Sequence, residues 1–445
     1  MTAGKQPAPH NQTAREYFNN QTAPRINTDA VVVDSLRAEY PQLHLTVVPR
    51  HNCNLLAFAK TAPIDSEKDR LSWRTFVPPS TRLNGGNGTL ADSVKFGKYL
   101  LDWDGKEFVV YIADGRDGES AYPKVTNQYI LSSSVDATNR LILEAGKWTT
   151  ELHDEIWVFD GGYWQKSAEL WESVQKSSWD DVILDKSMKE AIISDVEGFF
   201  DSRETYKKFK VPWKRGVIYH GPPGNGKTIS IKAMMHALYR RKDPVPTLYV
   251  RSLRSFNGPE YSINEIFALA RRTAPCYLVF EDLDSLISDS VRSYFLNAVD
   301  GLSVNDGVFM IGSTNHLERL DPGISKRPSR FDRKYLFDNP NEAERTMYAK
   351  FWQAKLSDND DVEFPDKLCL AVAKITNDFS FAFLQELFVA SLLSIARDED
   401  HYSERACLVN EDQEDPSLDD LVLWREIKKQ AKILRQEIGE EKVRR

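Results

Sequence analysis

Between about residue 30 and residue 175, short apolar runs alternate with polar, turn-forming clusters. The runs are Ala30 to Val33, Leu43 to Val48, Phe108 to Ala113 and Ile156 to Phe159, and the clusters include Asn84-Gly85-Gly86-Asn87-Gly88. This pattern predicts a small α/β domain. From Ser177 to Asn339 the spacing changes. Strand-like runs at Gly216 to His220, Thr247 to Leu253, Cys276 to Asp282, Gly307 to Thr314 and Lys334 to Phe337 are each separated by a helix-length stretch. Repeated βα units predict a parallel sheet with helices on both faces, right-handed crossovers, and ligands at the carboxyl ends of the strands. Beyond Asn341 the period becomes helical over Glu342 to Leu356, Asp366 to Ile375 and Ser380 to Ala396, which predicts a small helical lid domain. An acidic linker, Glu411 to Asp420, then leads to Trp424, Ile427, Ala431, Leu434 and Ile438 at heptad-like spacing on a charged helix. Packing against its own domain is the favoured reading of that helix, and a partner or oligomer contact is the alternative.

The chain has 445 residues, more than one hydrophobic core usually serves, so two or three domains are expected. Hydrophobic residues make up 41% and aromatics 11%, enough to exclude a mostly disordered chain. A net charge of -8 repels phosphate backbones, so nucleic acid is not an expected partner. Cys53, Cys276, Cys369 and Cys407 form no C-x-x-C pair and lack nearby histidines, and are read as reduced thiols. Trp103, Trp148, Trp157, Trp164 and Trp171 are read as core or half-buried residues rather than a binding surface. No apolar run approaches the roughly 18 to 20 residues of a transmembrane helix. Residues 1–29, rich in Asn, Gln, Thr and Pro, are expected to form a disordered tail. Within residues 1–28, Lys5, Arg15 and Arg25 oppose only Glu16, but the apolar face of a presequence is poor, so a cytoplasmic location is expected over a mitochondrial one.

The chemistry concentrates in the middle of the chain. Gly221-Pro-Pro-Gly-Asn-Gly-Lys-Thr228 follows the strand Val217 to His220 and opens a helix over Ile229 to Arg240, the strand–loop–helix context of G-x-x-x-x-G-K-[ST]. Its glycines let backbone N–H groups turn around a polyphosphate, and the helix N-terminus adds its positive end. Lys227 is expected on the β- and γ-phosphates and the Thr228 hydroxyl on Mg²⁺. Tyr277 to Phe280 is an apolar strand that runs into the carboxylates Glu281, Asp282 and Asp284, a costly arrangement beside a core unless a cation and a water use them. Phe309 to Asn315 is a second such strand, placing Asn315 level with the acids, where its amide could orient a water or sense the γ-phosphate. Arg327, Arg330 and Arg333 lie on a loop before the last strand. On a monomer they read as surface charge, and in a ring as arginine fingers for a neighbour's γ-phosphate.

In this order and spacing the motifs resemble an ATPase of the AAA+ superfamily, AAA branch proper, over about Trp179 to Ala396. Gly221 to Thr228 matches the Walker A motif, Tyr277 to Asp282 the Walker B, and Thr314-Asn315 the sensor-1 position. Leu296 to Leu302 resembles the family's helix between Walker B and sensor 1. Asn315 to Pro322 and Arg327 to Asp332 resemble its second region of homology, and Phe379 to Ala382 falls near sensor 2. The acid order Glu281-Asp282 reverses the usual Asp-Glu and is similar to the subgroup of mitochondrial cytochrome bc complex assembly chaperones and related fungal ATPases. The resemblance implies a cofactor site for ATP made by Gly221, Pro222, Pro223, Gly224, Asn225, Gly226, Lys227, Thr228 and Ile229, with Asp180, Asp181 and Val182 at the adenine. It implies Mg²⁺ on Thr228 and Glu281, Asp282 as catalytic base one methylene shorter than usual, Asn315 as sensor, and Arg327 and Arg330 as fingers.

The segment Val250 to Asn264 is shorter than the family's substrate-threading loop and lacks its aromatic-Val-Gly signature, with Phe256-Asn-Gly258 the nearest substitute, so threading is not carried over. Nor is the subgroup's membrane-tethered work, since its N-terminal membrane helix has no counterpart here. The resulting expectation is a disordered tail (1–29), an N-terminal α/β domain of unknown role (30–176), a P-loop ATPase α/β domain (177–339), a helical lid (340–408), and an acidic linker with a C-terminal helix (409–445). The expected function is Mg²⁺-dependent ATP hydrolysis by a homo-oligomeric ring, hexameric or related, that remodels protein substrates or assemblies. The alternative is an oligomeric scaffold that binds nucleotide and hydrolyses it negligibly.

Overall fold

The computed structural model describes residues 28–59, 70–79, 86–116, 124–300, 305–327, 330–359, 362–398 and 418–444. The expectation for residues 1–27 of the N-terminal tail, for Cys407 and for most of the acidic linker lies outside these residues, whereas Thr28 and Asp29, counted with that tail, open the first helix. The chain divides into two units, Met1–Glu151 and Leu152–Arg445.

The first unit runs α1 (Thr28–Glu39), β1 (His44–Pro49), α2 (Leu55–Ala59), β2 (Leu71–Val77), β3 (Thr89–Trp103), β4 (Lys106–Arg116), β5 (Lys124–Ser132) and α3 (Val135–Thr150). Its sheet has the order β1-β5-β4-β3-β2 with every pair antiparallel. Strand alternation sorts the side chains. Tyr99, Leu101, Phe108, Val110, Ile112 and Ile130 pack with Leu55, Leu141 and Ala145 of α2 and α3, while Tyr111, Ala113, Tyr129 and Leu131 pack with Leu36 of α1. The apolar run Ala30 to Val33 is helical. Val32, Val33 and Leu36 recur at helical spacing against the sheet. Asp29 in the first turn accepts from Asn127 Nδ2 (2.8 Å) and Tyr129 Oη. Tertiary packing overrides the β-preference of the valines.

The second unit begins with a hairpin, β6 (Ile156–Asp160) and β7 (Tyr163–Ser167), followed by α4 (Ala168–Gln175), α5 (Lys186–Asp201) and α6 (Arg203–Phe209). Alternating elements follow: β8 (Lys214–His220), α7 (Lys227–Tyr239), β9 (Thr247–Val250), α8 (Pro259–Thr273), β10 (Cys276–Phe280), α9 (Leu283–Leu286), α10 (Arg292–Asp300), β11 (Val308–Thr314), α11 (Pro322–Ser325) and β12 (Arg333–Leu336). The seven-stranded sheet has the order β12-β8-β11-β10-β9-β6-β7 and is parallel except for the β6–β7 hairpin. The expected boundary near residue 176 is thus displaced. β6 pairs in parallel with β9 (Trp157 beside Leu248), so the hairpin extends the second unit's sheet. Odd-numbered residues of β10 and β11 (Tyr277, Val279, Phe309, Ile311) face α5 and α7, and even-numbered ones (Leu278, Phe280, Val308, Met310) face α8 and α10. The five tryptophans singled out in the sequence are all half-buried.

Four helices follow the sheet: α12 (Glu342–Lys355), α13 (Asp366–Ile375), α14 (Phe381–Asp398) and α15 (Val422–Arg444). They share one core that includes Trp352, Leu368, Phe379, Leu387, Phe388, Trp424, Ile427 and Leu434. The C-terminal helix therefore packs against its own domain, through Trp424, Ile427, Ala431 and Leu434. Truncating the fully buried Trp424 to alanine is expected to destabilise this helical domain by about 3–5 kcal/mol. The expected readout is a separate, earlier transition in thermal unfolding, and an unchanged unfolding profile would refute a structural role for the helix. Among the described residues no helix is long and apolar enough to cross a membrane.

Candidate functional site

Register fixes which residues meet at the carboxyl edge of the sheet. Gly312 of β11 lies beside Phe280 of β10 and Ile218 of β8, and Thr314 lies beside His220. The loop after His220, the acids after Phe280 and Asn315 after Thr314 therefore leave the sheet at one level. β8 sits where the strand order turns, with β9 reached on one side and β12 on the other, the position where open α/β sheets bind ligands.

The loop from Gly221 to Gly226 needs left-handed backbone at Gly221 (φ 138°), Gly224 (φ 78°) and Gly226 (φ 87°). A Cβ on Gly221 would lie 2.2 Å from the Phe337 carbonyl oxygen, so glycine there also permits the close approach of the segment after β12. Lys227 opens α7, is buried, and its ammonium donates to the carbonyls of Gly221 (2.7 Å) and Pro222 (2.8 Å). Burial lowers the Lys227 pKa, and the carboxylates of Asp282 and Asp284 oppose that shift.

A cavity of 450 Å³ opens here, of a size suited to a small-molecule ligand. Its floor is Pro223, Gly224, Asn225, Gly226, Lys227, Thr228 and Ile229, with Asp282, Ser313 and Asn315 from the sheet edge. Asp181, Val182 and Ile183 form one wall. Lys189 holds that wall by donating to the carbonyls of Val182 (3.0 Å) and Trp179, while Asp181 closes a capping box with Ser178. Tyr348, Phe381, Ala382 and Gln385, from α12 and α14, form the opposite wall. Sequence reasoning missed Tyr348 and Gln385, which are ordinary positions on amphipathic helices. Asp180, named with the adenine pocket, is exposed and does not line the cavity.

The three acids have different surroundings. Asp282 is exposed, in a left-handed conformation (φ 50°), and its N–H donates to Ser313 Oγ at 3.2 Å. Glu281 continues the odd-numbered face of β10, where Tyr249 Oη donates to its Oε2. Its Oε1 is buried without a hydrogen-bond partner, and Glu281 is not among the cavity-lining residues. A buried carboxylate oxygen without a partner is costly, and the exposed Thr228 hydroxyl lies on the cavity floor. Carboxylate and hydroxyl oxygens are hard donors of the kind that magnesium takes. Asp284 accepts from Thr314 Oγ1 at 2.6 Å, and Thr314 Oγ1 in turn accepts from His316 N–H at 2.9 Å, so this acid holds the end of β11 beside Asn315. Neither Tyr249 nor Thr314 was legible as a partner, because the pairing spans 30 or more residues.

The arginines separate sharply. Arg330 has a side chain only 7% exposed and grips Asp300 with Nε (2.7 Å) and Nη2 (2.5 Å), while Nη1 donates to the Gly323 carbonyl (2.6 Å). The guanidinium holds the Asp300 carboxyl below its usual range. Gly216 has no side chain because a Cβ there would meet the Arg330 carbonyl oxygen at 2.0 Å. Arg330 is thus engaged within its own chain. The Arg327 side chain is 60% exposed, with only a 3.6 Å contact to Asp300. Phe256, on the loop after β9, is fully exposed.

Residues 217–339 match the family model described as ATPase family associated with various cellular activities (AAA). This stretch is similar to AAA domains. The match spans β8 to the end of the segment after β12, including the phosphate loop, the acid cluster and Asn315. An AAA domain supports nucleotide binding of the ATPase type, and the phosphate-loop fold with its α/β sheet and helical C-terminal region agrees with it.

Proposed function

We propose that this chain binds and hydrolyses ATP with Mg²⁺, acts as a homo-oligomeric ring of the hexameric kind, and uses turnover to remodel protein substrates or assemblies. The observation that supports it best is the single cavity that collects the phosphate loop, Asp282, Asn315 and the helical wall of Tyr348 and Phe381. In this reading the backbone N–H groups of Gly221 to Thr228 and the Lys227 ammonium bind the β- and γ-phosphates, and Asp181 and Val182 flank the adenine. Thr228 and Glu281 would hold the metal, which when bound neutralises charge on the phosphates. Asp282 accepts the proton of the attacking water, and Asn315 orients that water. Arg327, exposed at the rim of the domain, reaches a neighbour's γ-phosphate. The order Glu281-Asp282 favours the subgroup of cytochrome bc complex assembly chaperones and related fungal ATPases within the family.

ATP turnover measured against protein concentration, with light scattering in parallel, tests this. A specific rate that climbs as an ATP-dependent ring forms is the expected result. A constant rate from a monomer would remove Arg327 from catalysis, and ATP binding without turnover at any concentration would favour the non-hydrolysing scaffold.

A further inference from the structure

The first N–H groups of a helix have no partner within the helix and must find one elsewhere. In α14, Ser380 caps the helix in the ordinary way. Its carbonyl accepts from Leu384 N–H (2.9 Å) and its hydroxyl from Phe383 N–H (3.3 Å). The two N–H groups at the very start go elsewhere, into the phosphate loop. Phe381 N–H donates to Asn225 Oδ1 (3.3 Å), and Ala382 N–H donates to the Gly224 carbonyl (3.1 Å). Contact is close enough that a Cβ on Gly224 would lie 2.5 Å from that of Ala382.

Asn225 is 1% exposed, and its other end is also engaged. Nδ2 donates to Asn339 Oδ1 (2.9 Å) and lies 3.5 Å from the Phe337 carbonyl, while Asn339 Nδ2 donates to the Asp378 carbonyl (3.2 Å). The amide orientation follows from the network: Phe381 N–H can only donate, so Oδ1 must face it. One side chain of the phosphate loop therefore ties together the connector after β12, the turn before α14 and the start of α14. A side chain serving only a polyphosphate would have no reason to be buried on this side.

We propose that Asn225 is a positioning residue that caps the lid helix α14 from inside the phosphate loop, so that filling the loop and seating the lid become one equilibrium. The proposal rests on the ATP-binding reading above. A polyphosphate that orders the loop fixes Gly224 O and Asn225 Oδ1 in the capping geometry, and a loop that rearranges on losing its phosphate withdraws both acceptors together. Binding energy at the phosphates thus reaches Tyr348, Phe381 and Gln385 through main-chain hydrogen bonds.

Hydrogen exchange of residues 381–386 in the full chain, with and without ADP or ATP, tests this in wild type, Asn225→Ala and Asn339→Ala. In wild type, nucleotide is expected to slow exchange there by about fivefold or more, the scale of a helix cap. In Asn225→Ala, compared at saturating nucleotide, that nucleotide-linked protection is expected to fall below about twofold. Asn339→Ala leaves the phosphate loop untouched and is expected to reproduce the loss, which keeps the test available if Asn225→Ala does not fold. Wild-type nucleotide-linked protection in either variant would overturn the proposal. If wild type binds no nucleotide, the ATP reading fails by itself. The cap is then read without ligand: faster exchange over 381–386 in Asn225→Ala supports it, and equal exchange sinks it.

Discussion

Exchanging Asp282 for asparagine is expected to lower ATP turnover by about 10²–10⁴-fold, the usual contribution of a positioned general base, with nucleotide affinity within about threefold of wild type. The substitution is nearly isosteric and keeps the backbone N–H bond to Ser313 Oγ. Asparagine also tolerates the left-handed backbone that Asp282 adopts, so the fold should not suffer. What is lost is a carboxylate able to take a proton, on the one acid of the cluster that lines the cavity. Single-turnover measurements with ATP in excess of its dissociation constant separate chemistry from binding. Equal rates for wild type and variant would remove Asp282 as the base.

The acids show what the sequence conveys and where it stops. Three carboxylates after an apolar strand signal a charged site, because no core would tolerate them otherwise. The division of labour among them depends on residues far away in the chain: Tyr249 takes Glu281, and Thr314 takes Asp284. Neither partner carries a local motif. The phosphate loop is the opposite case. Its glycines, lysine and threonine act through backbone geometry within eight residues, so the chemistry can be read where it is written. Asn225 lies between these cases: its place in the motif is local, but its work as a cap depends on α14, more than 150 residues on.

At the level of the fold, elements with a sustained period were legible. Asp366–Ile375 is the helix expected from its spacing, and the βα alternation after residue 213 gives the expected parallel sheet. Two features were not legible. The apolar run of β6 is visible in the sequence, but its pairing with β7 is not, and which sheet it joins is decided by β9, some 90 residues later, through non-local pairing that no window reveals. Residues Ala30 to Val33 have the β-branched composition of a strand, yet their helix is held by apolar contacts with the first unit's sheet and by the Asp29 bonds to Asn127 and Tyr129. Both cases turn on energy supplied by residues distant in sequence.

The two arginines of the loop before β12 should part company on substitution. Arg330→Ala leaves Asp300 without its bidentate partner and opens the Gly323 contact, and removing one member of a buried pair costs about 3 kcal/mol. That figure belongs at the low end of its range because the Asp300 side chain is 35% exposed. The Asp300 pKa is lowered in the folded state, so the pair's stabilisation is complete above the ordinary carboxylate pKa of about 4 and is lost as pH falls through the folded value. Arg330→Ala is therefore expected to lower the unfolding midpoint at neutral pH, and the gap from wild type should narrow in acid. Arg327→Ala removes an exposed side chain with one long contact, so stability should be unchanged. Its expected effect is on turnover, about 10³-fold, as for an arginine that stabilises phosphoryl transfer from a neighbouring subunit. Mixing Arg327→Ala subunits with wild type should depress hydrolysis more than dilution does, because each variant also disables its neighbour's site. Proportional loss on mixing would place Arg327 outside the neighbour's site. A turnover defect in Arg330→Ala without loss of stability would return the finger role to the buried arginine.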